Sequence, residues 1–308
     1  MKSDTIYDTN DIDYFLTDPG ETVSLRLNLR DLAPTALNGA SGILSTSTTG
    51  VAVTTAAADF ANIASGANGE NTTPFVFTIN ASVACGSVMQ FNLDLNTQGV
   101  ISKIPFTLNV GNLQPTEIFS DNLEAGEAKW THASAIKKKK KRIPIDPWAI
   151  STKRFRSSGT SWFAANSDKP SDAHLDSLPI SLPAEVKNLR LVFYHTFEFE
   201  GGGFDGSVLE ISTGGDFEDL GAKILLGGYN GKLVRSTTNL LSERDAWING
   251  RVGAFQQVVV DLSSYAGKTV TIRFRIGTDN LVKAPGWFID DIVLKGDRVS
   301  CAPVGLAQ

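Results

Sequence analysis

The chain has 308 residues, 42% hydrophobic and 20% charged, with 28 Gly, 12 Pro, 2 Cys and a formal net charge of −5. The apolar fraction excludes wholesale disorder, the length points to two domains, and no apolar run reaches the roughly 18 residues that a membrane-crossing helix needs. Residues 1–117 hold 4 Lys and Arg against 11 Asp and Glu, and residues 118–308 hold 24 against 22, so neither half has the basic excess of a nucleic-acid binder.

The N-terminal stretch MKSDTIYDTNDIDYF is acidic and shows no apolar signal-peptide core, which leaves open that the chain is cut from a longer precursor. Next comes a clear period-two pattern. Val23, Leu25, Leu27 and Leu29 share one face, and Thr22, Ser24, Arg26, Asn28 and Arg30 share the other. Further strand-like runs cover 51–54, 74–79, 88–95 and 104–110, punctuated by Gly, Asn, Ser and Pro, while 56–58 and 61–71 read as loop. Six or seven short strands in about 100 residues predict an immunoglobulin-like antiparallel sandwich over 1–117. Residues 112–115 (NLQP) read as a linker.

A second all-β unit is predicted over 118–308. Its clearest strand is 189–200, with Leu189, Leu191, Phe193, His195, Phe197 and Phe199 on the core face and Arg190, Val192, Tyr194, Thr196, Glu198 and Glu200 on the other. The run 270–276 repeats the scheme, turning Arg273 and Arg275 outward, and 207–212, 255–262 and 287–294 complete a set that fits a two-sheet jelly roll. Gly201–Gly203 read as a hairpin loop, and Gly286 frees the backbone so that Trp287 can tuck into the core.

Successive blocks in this half resemble one module: FSDNLEAG at 119–126, DAHLDS at 172–177, FDGSVLEIS at 204–212 with Gly214 and Gly215, AWING at 246–250, VDLSSYAGKTV at 260–270, RFRIGTD at 273–279 and GWFIDDI at 286–292. In this order and spacing they are similar to the MAM-like jelly-roll accessory modules, close in type to carbohydrate-binding modules, that are appended to bacterial secreted peptidases of the immune-inhibitor-A and fungalysin types. An immunoglobulin-like domain often precedes such modules. The resemblance implies a non-catalytic, extracellular accessory module that makes protein or glycan contacts beside a catalytic domain of the parent protein, without membrane insertion or nucleic acid. The alternative is a cell-surface adhesion protein.

The resemblance also implies a structural Ca²⁺ ion near the first and last strands of the module. Asp121, Glu124, Asp290 and Asp291 are its candidate ligands, with Asp172 reaching in from an intervening loop. The competing reading makes these solvated turn carboxylates or partners of Arg side chains. Adjacent Asp290 and Asp291 are expected to point to opposite faces. The outward residues Tyr194, Glu198, Glu200, Arg273 and Arg275 are either a concave ligand surface, with Tyr194 as a stacking platform, or part of a ladder of ion pairs. A hydrolase using Glu198 or Glu200 is a third reading, resting on an unspecific spacing.

The basic run 137–142 (KKKKKR) reads as an exposed loop with the capacity to bind anions. His195 reads as a core histidine with one hydrogen-bond partner. H-E-x-x-H, G-x-S-x-G, P-loop and EF-hand patterns do not occur in the sequence. Cys85 and Cys301 lack metal-ligand spacing, and their pairing is left open.

Overall fold

A computed structural model describes residues 17–134, 146–157, 159–236, 238–279 and 281–302, together with the backbone course of 2–8. The basic run 137–142 lies outside the described residues. Among those described, every regular element is a β-strand except two short 3₁₀ turns, Gly221–Lys223 and Ser263–Tyr265. Among the described residues no helix is long and apolar enough to cross a membrane.

The chain divides into two compact units. The first comprises residues up to 114 together with those from 298 onward, and the second is Pro115–Asp297. Residues 298–302 thus group with the first unit rather than ending the second. There, Cys301 forms a disulfide with Cys85 and the Ala302 amide donates to Asp18. The predicted linker at 112–115 is instead the start of a strand, Asn112–Asp121.

In the first unit, Thr22–Arg30 buries its predicted leucine–valine face completely or nearly so. One sheet runs in the order Lys2–Asp8, Thr22–Arg30, Phe75–Ile79 and Val51–Thr55, with Asn68–Glu70 also pairing with Thr22–Arg30. The other runs Ala57–Asp59, Ser41–Thr46, Val88–Thr97 and Val100–Asn109. Side chains from both sheets meet in one core, where Phe77 and Phe91 pack with ring centroids 4.9 Å apart. The segments expected as loop contain the short strands Ala57–Asp59 and Asn68–Glu70. Their small side chains permit close backbone approach, and a Cβ on Gly69 would lie 2.6 Å from Ile63.

The second unit is a sandwich of two larger antiparallel sheets. The seven-stranded sheet runs Trp148–Ser151, Ser161–Asn166, Ala284–Ser300, Lys187–Glu198, Gln256–Asp261 and Ile224–Leu226, and Asn112–Asp121 joins it on Ala284–Ser300. First and last strands are therefore neighbours, as expected for a jelly roll. The eight-stranded sheet runs Trp130–Ser134, Ser171–Ser177, Thr269–Thr278, Gly206–Ser212, Asp245–Ile248 and Gly231–Lys232, flanked by Ile180–Ser181 and Glu218–Asp219. Between the sheets lies an aromatic core that includes Trp162, Trp247, Trp287, Phe193 and Phe274, all fully buried. Gly201–Gly203 do not close a hairpin: the strands on either side of them belong to different sheets, so the loop carries the chain across the sandwich.

Candidate functional site

The five carboxylates expected around a calcium ion accept hydrogen bonds from protein donors, and among the described residues no three of them gather as one group. Asp121 is buried; its Oδ1 accepts the Leu123 amide at 3.1 Å and its Oδ2 accepts Trp130 Nε1 at 2.6 Å. Glu124 Oε1 accepts the Thr160 amide at 2.9 Å. Asp172 lies on the eight-stranded sheet, where Arg275 grips both its oxygens at 2.6 and 3.0 Å. These residues do not fit a shared cation site.

Asp290 and Asp291 depart from strand alternation. The register jumps from Val192 opposite Val293 to Tyr194 opposite Asp290, so two residues face Phe193 across the ladder. This is a β-bulge, and Asp291 takes φ +47° within it. The bulge turns both carboxylates to the same loop instead of to opposite faces. Asp290 Oδ2 accepts the amides of Arg156 and Ser157 at 2.6 and 3.3 Å, while Asp291 takes the Arg156 guanidinium and the Ser157 hydroxyl. Burial raises the Asp290 carboxyl above its usual range, although the backbone amides oppose the shift.

The predicted ligand residues do not share a face either. Tyr194 and Glu198 lie on the seven-stranded sheet, and Arg273 and Arg275 lie on the eight-stranded sheet across the sandwich. Tyr194 is covered, because the Arg156 guanidinium stacks 3.6 Å from its ring centroid. Glu198 accepts the Val252 amide at 3.1 Å, whereas Glu200 lies beyond the strand end, so the two are not set two apart along one strand as the hydrolase reading requires. On the opposite sheet the charges form a ladder. Arg273 holds Asp176 through two bonds of 2.7 Å and stacks on Phe217, and Arg275 bridges Asp172 and Glu210. Arg244 continues the ladder from Glu210 to Asp219. Burial opposes ionisation of Asp176, but the bonds from Arg273 and His174 outweigh it and hold the carboxyl below its usual range. Arg273 and Arg275 are thus ion-paired on this face, with Asp176, Asp172 and Glu210 rather than with Glu198 or Glu200.

Two groupings escaped the sequence reading. The first is a cleft between the loops at 153–156 and 253–255, lined by Lys153, Arg154, Phe155 and Phe255 above Gly253 and Ala254. Phe155 is 46% exposed, and neither Lys153 nor Arg154 has an ion pair among the described residues. The signal was there in the interleaved basic and aromatic residues of KRFR at 153–156. The second is an acidic group, Glu200, Asp205 and Asp279, in which one oxygen of each lies within 4.8 Å of the others. Its members stand 5 and 74 residues apart in sequence, so only the fold assembles them.

No family model matches the chain. A stretch of 46 residues, 15% of this chain, is 35% identical to Bacillopeptidase F of Bacillus subtilis (strain 168) and takes in 3% of that protein's length. Among solved structures, the K3 cleaved adhesin domain of Lys-gingipain from Porphyromonas gingivalis is 17% identical over 59% of this chain and 99% of that one, with a TM-score of 0.35. TmCBM61, solved with beta-1,4-galactotriose, is 16% identical over 56% of this chain and 92% of that one, with a TM-score of 0.33. A carbohydrate-binding module of the beta-sandwich superfamily is 12% identical over 96% and 99% of the two chains, with a TM-score of 0.32.

Proposed function

We propose that this chain is a non-catalytic binding module of a larger secreted protein and that it holds a protein or glycan surface in the cleft between 153–156 and 253–255. The observation that carries this reading is the pairing of an exposed aromatic, Phe155, with Lys153 and Arg154, two cations that have no ion pair among the described residues, on loops braced by the sheet below. The brace is specific: Asp290 and Asp291 grip the backbone and side chain at 156–157. An aromatic ring beside fixed cations suits a ligand with an apolar sugar or side-chain face and acidic groups at its edge. On the eight-stranded sheet Asp172, Asp176 and Glu210 pair with Arg273 and Arg275, which favours adhesion by loops over chemistry on that sheet.

The Cys85–Cys301 disulfide supports an oxidising, extracellular setting. The short likeness to Bacillopeptidase F supports a peptidase as the parent protein, with its catalytic domain as the neighbour of this module. The test is binding of the intact chain to an array of acidic and neutral glycans and to immobilised proteins of the same source. Phe155→Ala combined with Arg154→Ala should weaken binding at least ~10-fold, since anchors of this kind carry most of an interface's energy. Its melting temperature should stay at the wild-type value. Binding that survives in this variant removes the cleft as the recognition surface.

A further inference from the structure

One end of the second unit's sandwich gathers acidic groups from both sheets. Glu200 follows the strand Lys187–Glu198 of the seven-stranded sheet. Asp205 precedes Gly206–Ser212 and Asp279 follows Thr269–Thr278, both in the eight-stranded sheet. Asp205 is 0% exposed and Asp279 4%. Several other buried or half-buried carboxylates of this unit are paired with arginine, as in Asp172, Asp176, Glu210 and Asp291, whereas Asp121 and Asp290 are held by indole and backbone N–H groups. Among the described residues no lysine or arginine reaches Glu200, Asp205 or Asp279. Three acidic groups so close, two of them buried and Glu200 half-buried, carry a cost without a counter-charge.

A second observation points to what is needed. Asn166 ends the strand Ser161–Asn166 and is 4% exposed. Its Nδ2 donates to Asp205 Oδ2 at 2.6 Å, while Oδ1 of the same planar amide is buried with no hydrogen-bond partner among the described residues. Glu200 Oε2 is likewise buried and without a partner. These are acceptors lacking a donor, and a buried orphan acceptor costs roughly 1–3 kcal/mol.

We infer that Glu200, Asp205, Asp279 and the Asn166 amide oxygen form a site for one Ca²⁺ ion, which ties together the ends of the two sheets. The donors are all oxygens, as a hard cation requires, and no His or Cys belongs to the group. Oxygens on opposite sides of Ca²⁺ at 2.3–2.6 Å stand about 4.6–5.2 Å apart, whereas the 2.0–2.1 Å shell of Mg²⁺ allows only about 4.0–4.2 Å. Oxygens that all lie within 4.8 Å of one another can share a single ion of this size. The site is distinct from the expected set of Asp121, Glu124, Asp172, Asp290 and Asp291, and it does not depend on the loop cleft.

The test uses the full chain stripped with EDTA and titrated with CaCl₂ by calorimetry. Thermal melting is followed by tryptophan fluorescence, since all five tryptophans lie in the second unit. One Ca²⁺ should bind per chain, and at 100 times its Kd the melting temperature should rise by at least ~5 °C and fall back with EDTA. Asp279→Asn keeps the Oδ1 that accepts the Leu281 amide but removes a charge. It should melt no lower than wild type in EDTA and should lose both calcium effects, and Glu200→Gln should do the same. Glu124→Gln should leave both intact. A wild-type chain that takes up no Ca²⁺ and melts identically with and without EDTA overturns the inference. So does calcium binding that persists in Asp279→Asn or vanishes in Glu124→Gln.

Discussion

His195 sits 1% exposed among Phe193, Phe197, Trp247 and Trp287, and Trp287 Nε1 donates to its Nδ1 at 3.1 Å. The proton of the neutral ring is therefore on Nε2. Burial drives the pKa from 6.5 to about 3. Below pH 6.5 the unfolded chain takes up a proton that the folded chain refuses, so this residue makes stability fall as pH drops from about 6.5 towards 3. His132 has the opposite sign. Burial disfavours its charge, but Asp146 and Glu127, at 2.5 and 3.5 Å, prevail and raise its pKa above 6.5. Its contribution is complete below pH 6.5 and is lost as pH rises through the raised value. In an NMR titration from pH 5 to 8 the His195 Cε1 proton should stay constant, while His132 should titrate above 6.5; a His195 midpoint near 6.5 would refute the buried assignment. At this scale the sequence was informative, because an imidazole alternating with Leu191, Phe193 and Phe197 has to share their interior face.

Which face of a strand is interior can be read from alternation, but which sheet the strand joins cannot. That is why Tyr194 and Glu198 were grouped with Arg273 and Arg275, although the strands Lys187–Glu198 and Thr269–Thr278 lie in opposite sheets. A bulge is equally hidden, because it belongs to the pairing of two strands and not to the pattern of one. At Asp290–Asp291 it overrides the expectation of opposite faces and produces the anchor for 156–157. Glycine left a clearer trace. Gly286 precedes Trp287 with φ +101°, and a Cβ there would lie 2.2 Å from the Ala164 carbonyl oxygen on the neighbouring strand. No side chain's end can move aside to make room, because the obstacle is backbone. Gly286→Ala should therefore cost about 3 kcal/mol or more, lowering the denaturation midpoint of the tryptophan signal at unchanged slope. Gly201→Ala meets nothing within 4 Å and needs no positive φ, so it should stay within about 0.5 kcal/mol of wild type. Equal effects of the two changes would show that the close approach at Gly286 is not what fixes the strand.

On the scale of the whole chain, two sandwiches were legible from strand density, but the path of the chain between them was not. Cys85 and Cys301 are separated by 216 positions, and no spacing rule pairs residues that far apart. The pairing assigns both cysteines to the first unit, on either side of the whole second unit in sequence. The two main cores share no residue. Breaking the disulfide should then act on one unit alone. Closing a loop of this length restricts the unfolded chain, and loss of such a cross-link typically costs about 2–5 kcal/mol. All five tryptophans report on Pro115–Asp297, so fluorescence isolates the second unit, while calorimetry sees both. For Cys85→Ser with Cys301→Ser, one calorimetric transition should move to lower temperature. The tryptophan transition should stay within about 1 °C of wild type, as expected for sites that share no partners. If the tryptophan transition falls together with the other, the disulfide stabilises both sandwiches as one cooperative body, and the assignment of its effect to the first unit is wrong.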